Sequence, residues 1–355
     1  MRYLAVIMVS AALVLSAMFA GCTGSKVSEN AVPEDSGENE TGAFNLSDFD
    51  LSKYNATLPS GENIFNDITL YSNLYGVRVV GTPQHDLYAQ DMLGRFASYG
   101  LDARYQEFSG FGATANKNVL GFKWGANRSD WVVFGAHYDT FATAFGAYDN
   151  LGGCAAVMEM ARVLSKYNFT KTLVFALWDC EEWGLYGSAY FAKTYKANVS
   201  FANFNYDCYG LNYPISNPGT GEPLMHNVGI SSKGSKNSSA GISFNSILMY
   251  VADEMMKIPK DLQSFHNPAS NSDHASFGKS PVAYFYSDPA SYEILCYPNV
   301  PLDTYATFVA AAGGPDPMKQ GLEFPVLYSY YCAILWSECG FSAPGSAEQE
   351  EADEK

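Results

Sequence analysis

Trp131-Val132-Val133-Phe134-Gly135-Ala136-His137-Tyr138-Asp139 is an apolar run that ends abruptly in a histidine and an acid. A short apolar run without helical spacing reads as a strand buried on both faces. Two later runs end the same way: 171–178 stops at Asp179-Cys180-Glu181-Glu182, and 202–206 stops at Asp207. Runs 118–122 and 281–286 share the composition and read as further strands. Between them the spacing turns helical. Tyr88, Met92 and Phe96 recur every fourth position over 87–99, and Gly100 follows as a stop. Residues 151–166 put Val157, Ala161 and Leu164 on one stripe. Ser243 is placed to cap a helix through 258 that buries Ile247, Val251 and Met255, and a last helix is expected over 324–336. The alternation predicts an α/β fold in three layers, with a mostly parallel mixed central sheet flanked by helices. In open sheets of this kind the ligand lies beyond the carboxyl ends of the strands, which is where the polar residues gather here.

Those residues match the chemistry of a zinc site. Zinc takes imidazole nitrogen and carboxylate oxygen, and a catalytic site leaves one position for water. His137, Asp149 and Asp207 supply such a set. Asp149 precedes the helix that opens at Leu151 and is placed to bridge two metals. Asp139 shares a side of its strand with His137 and can hold the imidazole in one tautomer. Glu181 and Glu182 are neighbours and cannot point the same way, so one can bind metal while the other acts as general base. Each feature alone is common: an isolated Glu-Glu pair is ordinary surface chemistry, Asp149 would serve as an N-cap, and Asp207 could accept from a turn. Their order on successive strand ends is what makes them a set.

With these residues in place, the chain resembles the co-catalytic zinc aminopeptidases and glutamate carboxypeptidases, a phosphorylase/hydrolase-like α/β fold. The resemblance runs over about 63–336 and is carried by Gly76 to Pro83, Asn118 to Gly121, Gly135 to Asp139, Gly146 to Asn150, Glu181 to Ser188, and Ser272 to Phe277. It implies that His137 and Asp207 bind one zinc, Asp149 bridges, Glu182 binds a second zinc, Glu181 is the base and Asp139 orients His137. It departs at one point. The family's Tyr-His-Thr-Pro-X-Asp-Thr stretch reads Pro298-Asn299-Val300-Pro301-Leu302-Asp303-Thr304 here, so Asn299 stands in the slot of a histidine ligand. An amide oxygen binds zinc more weakly than imidazole, which leaves the second site weak, empty or open to a harder metal. His266 and His274 are the alternative donors.

The resemblance implies a peptide substrate and a zinc-dependent exopeptidase, an aminopeptidase ahead of a carboxypeptidase. Two rivals stand beside it: a catalytically impaired member kept as a surface binding module, and a glutaminyl-cyclase-like acyl transferase on the same fold. Metal content separates the first from the main reading. The second relies on the terminal histidine that Asn299 replaces.

The remaining features concern the chain's ends and surroundings. The chain has 355 residues, 47% of them hydrophobic and 15% aromatic, enough for a sizeable core. Residues 1–22 read as a signal peptide whose end, Phe19-Ala20-Gly21-Cys22, is lipobox-like, making Cys22 the expected lipidated residue of an extracellular or cell-surface protein that is lipid-anchored or secreted. Residues 23–60 read as a disordered acidic linker, 61–341 as the catalytic domain, and 342–355 as an acidic flexible tail. A net charge of −16 argues against nucleic acid as a partner. Six cysteines follow Cys22 and permit up to three disulfides, although Cys154, Cys180 and Cys208 lie in or beside apolar runs that favour buried thiols.

Overall fold

The computed structural model describes residues 49–110, 115–141, 143–211, 229–231, 239–258, 272–287 and 302–338. In chain order the helices are α1 (Gly61–Leu74), α2 (Pro83–Ser98), α3 (Gly152–Leu164), α4 (Tyr186–Tyr195), α5 (Ser239–Tyr250), α6 (Tyr305–Ala311) and α7 (Pro315–Glu338). The strands are β1 (Asp102–Phe108), β2 (Asn116–Lys123), β3 (Asn127–His137), β4 (Lys171–Trp178), β5 (Ser200–Tyr206), β6 (Gly229–Ser231) and β7 (Val282–Phe285).

The strands form one sheet in the order β1-β2-β4-β3-β5-β7-β6. Its centre, β4-β3-β5-β7, is parallel, while β1, β2 and β6 join through antiparallel pairings at the two edges. Period-two alternation divides the core between the faces. Val132, Phe134 and Ala136 of β3 pack with the apolar residues of α1, α2, α3, α5 and α7. Trp131 and Val133 pack on the other side with Phe191 of α4 and Phe277. The result is the expected three-layer α/β arrangement, with most of the helical mass on one face.

Local signals explain the helix starts. Ser60 caps α1 by accepting from the Asn63 amide, and Thr82 caps α2 by accepting from His85, with Pro83 in the first turn where its missing N–H costs nothing. Several expectations shift. Ser243 lies inside α5, four residues past its start, so it is no cap; the helix runs on through a π-helical turn at Val251–Met255. α3 is buried almost all round rather than on one stripe, because it lies between the sheet and α1 and α7. α7 starts at Pro315 and passes through Pro325, nine residues ahead of the expected start. The acidic linker, expected to reach residue 60, gives way earlier: Tyr54 is 1% exposed and meets Tyr167 and Phe169, and Phe49 and Leu51 pack against the same core. Aromatic burial there outweighs the acidic composition that suggested a tether.

Cys154, Cys180, Cys208 and Cys332 are buried, and none is in a disulfide, as the apolar surroundings of the first three suggested. Cys22, the remaining cysteines, the tail and Asn299 lie outside the described residues. No described helix is long and apolar enough to cross a membrane.

Candidate metal centre

Three parallel strands deliver the site. β3 ends in His137 and leads to Asp139, β4 leads through Asp179 to Glu181 and Glu182, and β5 leads to Asp207. Asp149 arrives from the segment between Gly146 and α3, where the Asp149-Asn150 peptide bond is cis. The His137 ring is buried. Its Nε2 stands 3.0 Å from Asp149 Oδ1, 3.3 Å from Asp207 Oδ1 and 4.0 Å from Glu181 Oε2. Ligand atoms of His137, Asp149 and Glu182 lie within 4.8 Å of one another, as do those of Asp149, Asp207 and Cys208. Thus His137, Asp149, Glu181, Glu182 and Asp207 do converge. Asn299 lies outside the described residues, as does His266, and His274 belongs to neither ligand group. His274 stacks on Tyr284 at 4.2 Å instead.

Asp139 sits otherwise than expected. Its carboxylate is 3.6 Å from His137 Nδ1, beyond hydrogen-bond reach, and its backbone carbonyl faces that nitrogen at 3.2 Å. The carboxylate accepts instead from the Glu181 amide at 3.0 Å and the Glu182 amide at 3.3 Å. Asp139 therefore fixes the imidazole tautomer with its main chain and the glutamate loop with its side chain. Asp179 turns away from the cluster. It bonds His85 Nε2 at 2.8 Å and accepts from the Lys117 amide at 2.9 Å, tying the end of β4 to α2 and β2.

The segment carrying Asp149 is gripped from both sides. Asp303 is buried and accepts from the Tyr148 amide at 2.7 Å and the Asp149 amide at 2.9 Å. Arg78, also buried, donates to the carbonyls of Tyr138, Gly76, Phe145 and Gly146. A guanidinium thus holds the carbonyls and a carboxylate holds the amides of one turn. Gly146 sits at φ 62 inside this grip, where a Cβ would strike the Thr140 methyl and the Asp149 carbonyl. Beyond Asp149, the Asn150 side chain donates to the Tyr206 carbonyl and accepts from the Gly153 amide, fastening the entry of α3. Arg78, Asp303 and Asp273 are site residues that sequence reasoning did not single out. Each lay inside a stretch that carried the resemblance or its departure, and that was the one signal available for them.

The electrostatics ask for a cation. Burial pushes the Glu181 and Glu182 carboxyls well above the usual range; the His137 charge opposes this for Glu181, and the Asp149 charge reinforces it for Glu182. Burial would lower the His137 pKa, yet Asp207 and Glu181 outweigh it and hold it well above the ordinary value. Burial acts to raise Asp207, but His137 prevails and keeps it below the usual range. Burial lifts Asp273 to about 7, and neither of its carboxylate oxygens finds a hydrogen-bond partner at bonding geometry. One imidazole faces five carboxylates besides Asp273, a surplus of negative charge that a divalent cation would neutralise. Nitrogen and carboxylate donors at this spacing fit zinc.

The pattern of Peptidase family M28 matches residues 118–307. The chain is 30% identical over 152 residues to leupeptin-inactivating enzyme 1 of Streptomyces exfoliatus, covering 41% of this chain and 34% of that protein. It is 30% identical over 149 residues to aminopeptidase YwaD of Bacillus subtilis (strain 168), covering 41% and 31%. The matched segments thus span about a third of the length of these curated relatives. Among solved structures, an aminopeptidase from Aneurinibacillus sp. strain AM-1 superposes with a TM-score of 0.60 at 16% identity, covering 81% of this chain and 96% of that one. A Bacteroides thetaiotaomicron glutaminyl cyclase bound to N-acetylhistamine gives 0.59 at 15% identity, covering 78% and 99%. At such identities the structural likeness speaks for the fold alone.

Proposed function

The chain belongs to peptidase family M28, and from that premise we propose that it is a zinc-dependent exopeptidase that hydrolyses terminal peptide bonds, acting as an aminopeptidase. The observation that supports this most is the meeting of Asp149, Glu182 and Asp207 around the His137 ring, with Glu181 4.0 Å from its Nε2. Its curated relatives include a protein named as an aminopeptidase.

In this reading His137, Asp149, Glu182 and Asp207 would hold the metal, Asp149 being common to both groups of donor atoms. Zinc, when bound, supplies Lewis acidity that polarises the scissile carbonyl and acidifies a water. Glu181 is the base. Burial raises its carboxyl well above the usual range, which suits a group that must take a proton from water at one step and return it to the leaving amine at the next. Asp139 holds Glu181 at its task by accepting from its backbone amide. Export and lipidation at Cys22 complete the proposal. Labelled fatty acid recovered on the wild-type chain and absent from Cys22→Ser tests that part.

Purified protein loaded with zinc should release the amino-terminal residue from a panel of aminoacyl and dipeptide substrates. No hydrolysis of any of them would contradict the reading. A second reading, cyclisation of amino-terminal glutamine, is compatible with the fold, which the chain shares with a glutaminyl cyclase. A glutaminyl peptide distinguishes the two: loss of ammonia without loss of a residue is cyclisation, and release of free glutamine is hydrolysis.

A further inference from the structure

We propose that Cys208 is a metal ligand, its thiolate joining Asp149 and Asp207 around a thiophilic divalent cation of the zinc class. This rests on reading the carboxylate cluster around His137 as a metal centre and adds a sulfur donor that neither the family resemblance nor the strand-end pattern assigns.

The ligand atoms fall into two groups of three that share one member. His137, Asp149 and Glu182 form the first; Asp149, Asp207 and Cys208 form the second, each group with its atoms within 4.8 Å. Three donors and one open position are what a catalytic zinc site requires. The second group supplies three donors of its own, the third of them the Cys208 sulfur, beside the His137 Nε2 that stands 3.0 Å from Asp149 and 3.3 Å from Asp207.

Cys208 is held at this point by its backbone. Asp207 donates its amide to the Phe285 carbonyl, the last residue of β7, and Ser287 donates to the Cys208 carbonyl at 2.8 Å. Cys208 itself takes a left-handed φ of 51, unusual for a residue with a Cβ, and it does so one residue past a site acid. The Cys208 thiol donates toward the Asp207 carboxylate, which keeps sulfur and oxygen side by side within one group of candidate ligand atoms. Asp273, buried and with neither carboxylate oxygen in a hydrogen bond at bonding geometry, adds to the negative field on Asp207 and His137 from the 3-10 turn Asp273–Phe277. Neither Cys154 nor Cys180 belongs to a ligand group; the Cys154 sulfhydryl donates to the His137 carbonyl at 3.0 Å.

Ligation exchanges a proton for a metal bond: the sulfhydryl proton leaves to solvent as Sγ bonds the cation, with no change of oxidation state. A thiolate in the donor set biases the site toward zinc, cobalt and cadmium over magnesium and manganese.

Cobalt(II) substitution of the full chain reads this without reference to activity. The wild-type protein should bind cobalt with visible d–d bands and, in addition, a near-ultraviolet sulfur-to-cobalt charge-transfer band. X-ray absorption of the zinc form should show a scatterer at about 2.3 Å beside the nitrogen and oxygen shell at about 2.0–2.2 Å. Cys208→Ser should keep cobalt bound through the remaining ligands and lose the charge-transfer band. Cobalt bound by the wild type without that band overturns the sulfur ligand and leaves the metal centre standing. A band that survives in Cys208→Ser overturns its assignment to this thiol. No cobalt bound at all overturns both this inference and the metal-centre reading beneath it.

Discussion

Glu181 and Glu182 are adjacent, half-buried carboxyls to which the proposal gives different tasks, and the difference lies in what each meets. Glu182 falls in a ligand group with His137 and Asp149, while Glu181 stands off the imidazole at 4.0 Å. Glu181→Gln keeps the shape and removes the base. It should cut kcat about 10²- to 10⁴-fold with bound zinc unchanged, as steady-state kinetics and metal analysis on the same sample would show. Full activity in that variant would contradict the assignment. Asp303 acts one step back, through the Tyr148 and Asp149 amides. Asp303→Asn should weaken metal affinity about 10- to 100-fold, measured by competition with a chromophoric chelator. Its pH effect has a definite sign. Burial raises the Asp303 carboxyl from 3.8 to about 7. Between those values the folded chain keeps a proton that the unfolded chain has released, so its contribution to stability is present at the acid end and is lost as pH rises through about 7. In metal-free protein the unfolding free energy should therefore fall across that window by up to about 1.4 kcal/mol per pH unit from this group. Asp303→Asn should flatten that part of the denaturant-derived profile.

At the scale of elements, the sheet centre and the Asp149 turn carry the account. Phe134 stacks between Phe175 at 5.3 Å and Phe204 at 5.4 Å, joining β3 to both neighbours. Phe134→Ala should cost about 3–5 kcal/mol of stability, read from chemical denaturation. Gly146→Ala tests the turn: the strained φ and the collisions with Thr140 and Asp149 should loosen the metal site more than the fold, so metal retention should fall further than the melting temperature. The parts of the fold legible in the sequence were the central strands, because a strand buried on both faces is a continuous apolar run whose end is marked by its first polar residue. β1 was not, since an edge strand carrying Asp102, Arg104 and Glu107 looks like loop. β6 is three residues long, too short to show a period. The linker boundary failed because Tyr54 finds its partners, Tyr167 and Phe169, over a hundred residues away. Of the clustered residues, His137, Glu181, Glu182 and Asp207 were legible from their place on strand ends, and Asp149 from its place just ahead of a helix. The orienting contact of Asp139 was not, because choosing between carbonyl and carboxylate takes geometry. Nor were Arg78 and Cys208, whose meaning lies in groups that tertiary structure alone brings near.

Across the whole molecule, the sheet places the negative surplus at the carboxyl ends of three parallel strands, and the cost of burying it is offset when a cation binds. Metal that binds only the folded state stabilises by mass action, about 2.7 kcal/mol at a hundredfold excess over Kd. Chelator should lower the melting temperature, and zinc should restore it, with Asp149→Asn indifferent to both. The most direct test of the central claim is an anomalous difference map at the zinc edge from crystals of the zinc-loaded chain. It should place density about 2.0–2.2 Å from His137 and from the carboxylates of Asp149 and Asp207. Density away from this cluster and its neighbours Glu182 and Cys208, or none there at saturating zinc, would contradict it.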